Sequence, residues 1–279
     1  MARVQANGLN FEVADQGSGT PVVLLHGFPD TSEMWRHQVA ALNAAGFRTI
    51  APDMRGRGRS DRPAEVTDYA LTKIVGDVTG IMDALRIQKA HVVGHDWGAV
   101  VAWGVAMFAP TRVDHLVAIS VGAPGAAPPP TLEALQKSWY RILFLFEGIA
   151  EDLAQRNDWY LMRELLQGGG EDFDRYKATL SEPGALTAAL NWYRANLPVE
   201  RLVPSGPGPQ FPSVAAPTLG VFGTADRYLT EAAMTGSASK LTGPWRYERL
   251  EGIGHFIPLD APEKLNSLLL DFLPLRSKA

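Results

Sequence analysis

The sequence predicts the α/β class: a mostly parallel sheet covered by helices on both faces, with a helical segment inserted into it. Three observations lead there. Runs such as PVVLLHG and AHVVG are near-continuous in Val and Leu, as strands buried on both faces are. These runs alternate with helix-period segments, the order that produces parallel strands joined by helical crossovers. Two connectors rich in Pro and Gly, GAPGAAPPP (Gly122–Pro130) and VPSGPGPQFPSVAAP (Val203–Pro217), bracket a stretch with helical texture and no clear strand.

Taken in order, FEVADQG and PVVLLHG read as strands, followed by a helix over Glu33–Ala45 and the strand FRTIAPD. A helix over Ala70–Leu85 precedes AHVVG, a helix from Gly98 to Phe108, and DHLVAISV. After Pro217 the alternation resumes with TLGVFG, a helix over Glu231–Lys240, WRYERLEG and a last helix from Pro262 to Phe272. Asp260 and Glu263 flank Pro262 in a D-x-x-E pattern, which predicts a capped start for that helix. The expected organisation is one core built from 1–127 and 214–279, interrupted by a helical cap over 128–213.

Composition excludes several classes. A formal net charge of −4 without large basic clusters argues against nucleic acid or an anionic membrane surface as partner. RGRGRSDR (Arg55–Arg62) is the one basic run and reads as a solvated Gly-rich loop. No apolar run approaches the roughly 18 residues that span a bilayer, and MARVQANGLNFEV lacks the layout of a secretion signal. With no cysteine there is neither a disulfide framework nor a thiolate nucleophile. No pair of the six histidines has metal-ligand spacing on one element, so no metal and no cofactor are expected. A cytoplasmic enzyme, monomer or homodimer, acting on a small molecule fits these limits.

The chemistry concentrates in VVGHDWGAV (Val92–Val100). A strand running through Gly-x-Asp-x-Gly into a small-residue helix has the form of a nucleophile elbow, with Asp96 where serine hydrolases carry serine. An Asp after a strand also makes a good helix N-cap, and for Asp96 alone the two readings are even. Two later positions favour chemistry. VFGTADRY places Asp226 just beyond a strand end, and LEGIGHFIPLD places His255 in a Gly-flanked loop after the next strand. Nucleophile, acid and base then follow in the chain order of this architecture, each at the carboxyl end of a strand. LLHGFPD (Leu24–Asp30) adds a loop in which the Phe28 N–H can pair with that of Trp97 as an oxyanion hole. His26 reads as a structural loop residue.

Together, H-G-F-P at 26–29, G-H-D-W-G-A at 94–99, the Asp226 loop and G-H-F at 254–256 resemble the α/β-hydrolase-fold epoxide hydrolases over nearly the whole chain. H-G-x-P with G-x-D-W-G is the signature of the Asp-nucleophile branch, which also holds the haloalkane dehalogenases. The resemblance implies that Asp96 attacks carbon, that His255 and Asp226 activate water, and that two cap tyrosines hold the epoxide oxygen. Tyr140 in KSWYRILFLFEGIAE and Tyr193 in ALNWYRANLP stand in the matching contexts. FLFEG departs from the family's usual Gln and Pro-Gly step, and so alters the expected cap shape.

A carboxylate suits this role because it is already ionised at neutral pH and needs no base to attack an activated sp³ carbon. His255 is then free to drive water onto the resulting ester. An epoxide also needs a proton for its departing oxygen, which a tyrosine supplies. The expected substrate is a small-molecule epoxide, converted to a vicinal diol. Phe28, Trp97, Trp139, Trp192 and Phe256 are the expected pocket walls, and the other cap aromatics suggest an apolar, aryl-bearing substrate. The alternatives are a haloalkane or haloacid dehalogenase using the same Asp96, and a receptor-like ligand-binding protein. Dehalogenases usually place Asn or Glu after H-G, where this chain has Phe28. The fluoroacetate type needs Arg directly after the nucleophile, where this chain has Trp97.

Overall fold

In the computed structural model, residues 1–126, 128–166, 171–197 and 210–275 are described. Residue 127 and the first seven residues of the second connector, 203–209, lie outside them, as do 167–170 and 198–202 of the expected cap.

Eight strands form one sheet in the order β1-β2-β4-β3-β5-β6-β7-β8. β1 (Ala2–Ala6) and β2 (Leu9–Gly17) form an antiparallel hairpin that the sequence reading did not separate. Its two-residue turn, Asn7-Gly8, has positive φ at both positions, the geometry that Asn-Gly favours. β2 also pairs antiparallel with β4 (Phe47–Pro52), and all remaining pairings are parallel. β3 (Thr20–Leu25), β5 (Ala90–His95), β6 (Val113–Ile119), β7 (Thr218–Gly223) and β8 (Trp245–Leu250) fall on the segments read as strands.

Alternation along the strands separates two cores. Val23, Leu25 and Val92 point to one face, which α2 (Leu71–Ala84) and α3 (Trp97–Phe108) cover. Val22, Leu24 and Val93 point to the other, covered by α1 (Arg36–Ala44) and α11 (Pro262–Phe272). The expected first helix begins instead as a 3₁₀ turn, Ser32–Trp35, started by the Thr31 side chain. The expected Glu231–Lys240 helix divides into α9 (Glu231–Gly236) and a 3₁₀ turn, Ser237–Lys240.

Between β6 and β7 the described chain is helical: α4 (Leu132–Lys137), α5 (Tyr140–Phe144), α6 (Ile149–Leu165), α7 (Glu171–Leu180) and α8 (Ala185–Asn196). Arg156–Trp159 interrupt α6 with non-helical angles. Among the described residues no helix is long and apolar enough to cross a membrane.

Two local expectations are overturned. The α11 start has Pro262 at its first turn, but its N-cap is Ala261 and no side chain caps it. Asp260 is used as the last residue of α10 (Ile257–Asp260). The Arg55–Arg62 run is solvated only in part: Arg59 is exposed, but Arg55 and Arg57 are each only 5% exposed. Burial of these two is tolerated because each guanidinium finds partners. Arg55 grips Asp77 through two bonds of 2.7 and 2.6 Å and donates to the Asp68 carbonyl at 3.0 Å. Arg57 lies 5.3 Å over the Phe28 ring and donates to the Asp30 carbonyl at 3.2 Å.

Candidate active site

The site forms at the carboxyl ends of β3, β5, β7 and β8, where parallel sheets leave a crevice. At the end of β5 the chain must reverse sharply into α3. A Cβ on Gly94 would collide with the Gly98 carbonyl, and one on Gly98 with the Leu25 carbonyl, so both positions require glycine. Asp96, between them, has φ 53° and ψ −121°, a strained conformation for a non-glycine residue. It is the N-cap of α3 by position, but its side chain caps nothing. The capping alternative therefore falls away, and the carboxylate faces the crevice.

There Asp96 Oδ1 accepts the Phe28 N–H at 2.9 Å, and Oδ2 lies 3.5 Å from His255 Nε2. His255 Nδ1 lies 2.7 Å from Asp226 Oδ2. Asp226 Oδ1 accepts the N–H groups of Tyr228 at 2.8 Å and Leu229 at 3.0 Å, so the acid is held on both oxygens. The three residues predicted from separate loops thus meet in one chain of contacts, with Nδ1–H of His255 donating to Asp226 and Nε2 facing Asp96.

Electrostatics sharpen the arrangement. Burial alone would raise the Asp96 carboxyl, yet the hydrogen bond and charge of His255 and the Phe28 N–H hold it at about 2. Burial would depress His255, but the carboxylates of Asp226 and Asp96 outweigh it and lift the imidazole to about 10. At neutral pH the resting site therefore holds an ionised Asp96 against an imidazolium.

His95 and Ser120, neither singled out in the sequence, fix the His255 backbone: His95 Nε2–H and Ser120 Oγ–H both meet its carbonyl, at 2.9 and 3.0 Å. Burial lowers His95 to about 4, so it stays neutral in this role. His26 is structural, as expected. Its Nε2 accepts the Met54 N–H at 2.9 Å, which places the proton on Nδ1, 3.0 Å from the Gly27 carbonyl.

Tyr140 (α5) and Tyr193 (α8) are buried, with ring centroids 6.2 Å apart. Both line the same cavity of about 20 Å³ as Asp96, His255, Phe28 and Phe256. Leu165, Leu166 and Tyr228 complete its walls and were not predicted. Trp97 and Trp192 stand one layer back: their rings meet at 5.8 Å, and Trp192 Nε1–H donates to the Arg55 carbonyl at 3.0 Å. Trp97 also packs edge-on to Tyr193, with ring centroids 5.2 Å apart. Trp139 is 48% exposed and is not among the cavity walls, because it precedes α5 on the side turned to solvent. Its assignment to the pocket is corrected.

Two ties across the molecule hold the acid loop, and neither was visible in the sequence. Lys137 Nζ (α4) donates to the carbonyls of Asp226 at 3.0 Å and Leu229 at 3.2 Å. Tyr228 Oη–H donates to the Leu165 carbonyl at 2.6 Å.

Comparison with known proteins gives the same picture. The model of the alpha/beta hydrolase fold family matches residues 20–262. Epoxide hydrolase A of Mycobacterium tuberculosis is 31% identical, with 97% of this chain and 96% of that protein covered. Epoxide hydrolase 1 of Siraitia grosvenorii is 33% identical over the same shares of the two chains. The crystal structure of epoxide hydrolase A from Mycobacterium thermoresistibile superposes with a TM-score of 0.82 at 28% identity, covering 99% of each chain. With the sheet order, the elbow and these full-length matches in agreement, the chain belongs to the alpha/beta hydrolase fold family.

Proposed function

We propose that the protein is an epoxide hydrolase, adding water to an epoxide to give a vicinal diol through an ester on Asp96. One observation carries the reading: an ionised Asp96, the His255–Asp226 pair and two buried tyrosines converge on a single cavity. Residues 128–213 act as a cap that brings Tyr140 and Tyr193 over a core of 1–127 and 214–279.

Asp96 attacks an epoxide carbon, the ring C–O bond breaks, and the freed oxygen takes a proton from a tyrosine. Esterification then changes the charge balance around His255. One of the two carboxylates that lift its proton affinity becomes a neutral ester, and the opposing effect of burial gains weight. With an ester in place, the imidazolium passes its proton to the tyrosinate left by ring opening, and the neutral imidazole is then free to act as a base. Water loses a proton to His255 Nε2 and attacks the ester carbonyl. The oxyanion forms on the former Asp96 carboxyl, where Phe28 N–H already sits and the Trp97 N–H at the start of α3 is oriented nearby. Collapse frees the diol and the Asp96 carboxylate, and the proton taken from water restores the resting imidazolium. The cavity of about 20 Å³ has room for roughly one water, so an epoxide must part its walls to enter.

The dehalogenase alternative needs neutral N–H donors for halide. Phe28, which lines the cavity where those enzymes carry Asn or Glu, offers no side-chain donor, and this weighs against it. The test is to incubate wild type and His255→Gln with a styrene-oxide-like epoxide and with a haloalkane, then measure intact masses. A trapped ester from the epoxide alone supports the proposal. One from the haloalkane alone would replace it with the dehalogenase, and none from either would favour a receptor-like role. Replacing Tyr140 and Tyr193 together by Phe should abolish epoxide opening.

A further inference from the structure

The loop that carries the acid, Asp226–Leu229, is held by its own carboxylate and by a distant cation. Asp226 Oδ1 gathers the N–H groups of Tyr228 and Leu229, which leaves Oδ2 for His255. The carbonyls of Asp226 and Leu229 converge on a single point, Lys137 Nζ, at 3.0 and 3.2 Å. Among the described residues no backbone N–H bonds to either carbonyl. Two carbonyl oxygens that converge with no cation between them repel through their negative ends, so their placement depends on the ammonium.

Lys137 is the last residue of α4, where a cation favours a helix end in any case. Its ammonium is used elsewhere. The Ala134 carbonyl of α4 is taken by the N–H of Ser138 at 3.1 Å and by its hydroxyl at 2.7 Å, while Lys137 Nζ crosses to a loop 89 positions away. Lys73, Lys89 and Lys177, by contrast, each meet an aspartate carboxylate. Lys137 also lies 3.2 Å from Glu133, but that side chain is 68% exposed, and such pairs contribute little.

We propose that Lys137 is a positioning residue for ester hydrolysis: from α4 it clamps the acid loop and so holds Asp226 at His255 Nδ1. The inference rests on the epoxide hydrolase reading. Asp226 has one task in that cycle, to keep a proton on Nδ1 so that Nε2 can take the proton of water. A loop relaxed by loss of the clamp lengthens the 2.7 Å contact between them and lets the imidazole turn. Ester formation relies on Asp96, which the Phe28 N–H holds from a different loop, and is spared. The water-activating pair of the core is thus completed by a residue from the segment proposed as the cap.

The chain contains no cysteine, so Lys137→Cys introduces a single thiol, at a position whose side chain is 27% exposed and open to reagents. Under single turnover this variant should slow ester hydrolysis by about tenfold to a hundredfold, the scale of an ångström's misplacement, and leave ester formation within about twofold. Alkylation with 2-bromoethylamine rebuilds a side chain of lysine length ending in an ammonium, and should restore most of the loss. Methyl methanethiosulfonate, which adds a neutral group without donors, should restore none. Equal slowing of both half-reactions, unchanged hydrolysis, or rescue by the neutral group overturns the proposal. A substrate-free measurement keeps it separate from the functional reading. The His255 Nδ1–H proton, bonded to a carboxylate, should resonate at low field in NMR, move upfield in Lys137→Cys, and return on aminoethylation. An unmoved resonance overturns the clamp whatever the activity, whereas a wild type inert to epoxides overturns the functional reading and leaves the resonance to decide the clamp.

Discussion

Asp226→Asn preserves the shape of the acid and reverses what His255 can do. In the wild type, Asp226 Oδ1 accepts two backbone N–H groups, at 2.8 and 3.0 Å, so position 226 must keep an acceptor there. An Asn satisfies this only by placing its amide oxygen on that side, which turns its NH₂ toward His255 Nδ1, 2.7 Å away. Nδ1 must then accept, and the imidazole proton moves to Nε2, the nitrogen that faces Asp96 and the attacking water. The same tautomer reversal in a serine protease triad lowers turnover by roughly 10⁴-fold. A loss of about 10³- to 10⁴-fold is therefore expected in ester hydrolysis. Ester formation needs no base and should change by less than about tenfold. Rapid-quench intact-mass measurements under single turnover resolve the two rates, and the variant should accumulate the Asp96 ester. Hydrolysis within tenfold of wild type would refute the tautomer reasoning. Ester formation and hydrolysis falling together would refute the assignment of Asp226 to the second step.

Three further outcomes follow from the same geometry. Asp77→Ala strips the buried Arg55 guanidinium of its bidentate partner and should cost about 3–5 kcal/mol in urea unfolding; a cost below about 1 kcal/mol would contradict the buried pairing. His255 is lifted from 6.5 to about 10, so its stabilisation is complete below about pH 6.5 and is lost as pH rises through about 10. Against His255→Gln, the wild type should lose on the order of 1 kcal/mol per pH unit across that window, and parallel stability curves for the two proteins would refute the raised value. Gly98→Ala drives a methyl into the Leu25 carbonyl. It should destabilise the fold by more than the cost of an ordinary surface change and displace Asp96, seen as lost ester formation; full activity with an unchanged Tm would refute the strained elbow.

Residues at strand ends were legible from sequence because position alone declares them. Asp96 and Asp226 each follow an apolar run and His255 a Gly-flanked loop after the next strand, and a parallel sheet brings such ends to one edge whatever the loops between them do. The strands of the parallel core were legible for the same reason, their burial on both faces showing as unbroken apolar runs. β1 was less so, since only alternate residues of this edge strand are buried. Asn7-Gly8 is the one local mark of its hairpin. Tyr140 and Tyr193 were reached through resemblance, since a tyrosine among many cap aromatics has no local mark of function.

What the sequence could not show is carried by contacts between distant segments. Lys137 reaches the acid loop across 89 positions, and Tyr228 reaches the Leu165 carbonyl across 63. Neither partner is a side chain that composition could flag. The Arg55–Arg62 run misled for a related reason: an arginine is solvated unless a carboxylate such as Asp77 is packed against it, and only the fold decides that. Trp139 and Trp192 looked alike as cap aromatics, but one faces solvent and the other is buried behind Trp97.

By itself, then, the sequence determined the sheet, the elbow and the order of nucleophile, acid and base, because these depend on local periodicity and on glycines that sterics permit nowhere else. The tertiary structure alone decided which nitrogen of His255 faces Asp96, which arginines of the basic run are buried and which distant groups hold the acid loop. Those are questions of distance and burial between residues far apart in the chain, where Coulomb and hydrogen-bond energies change steeply within a few ångströms.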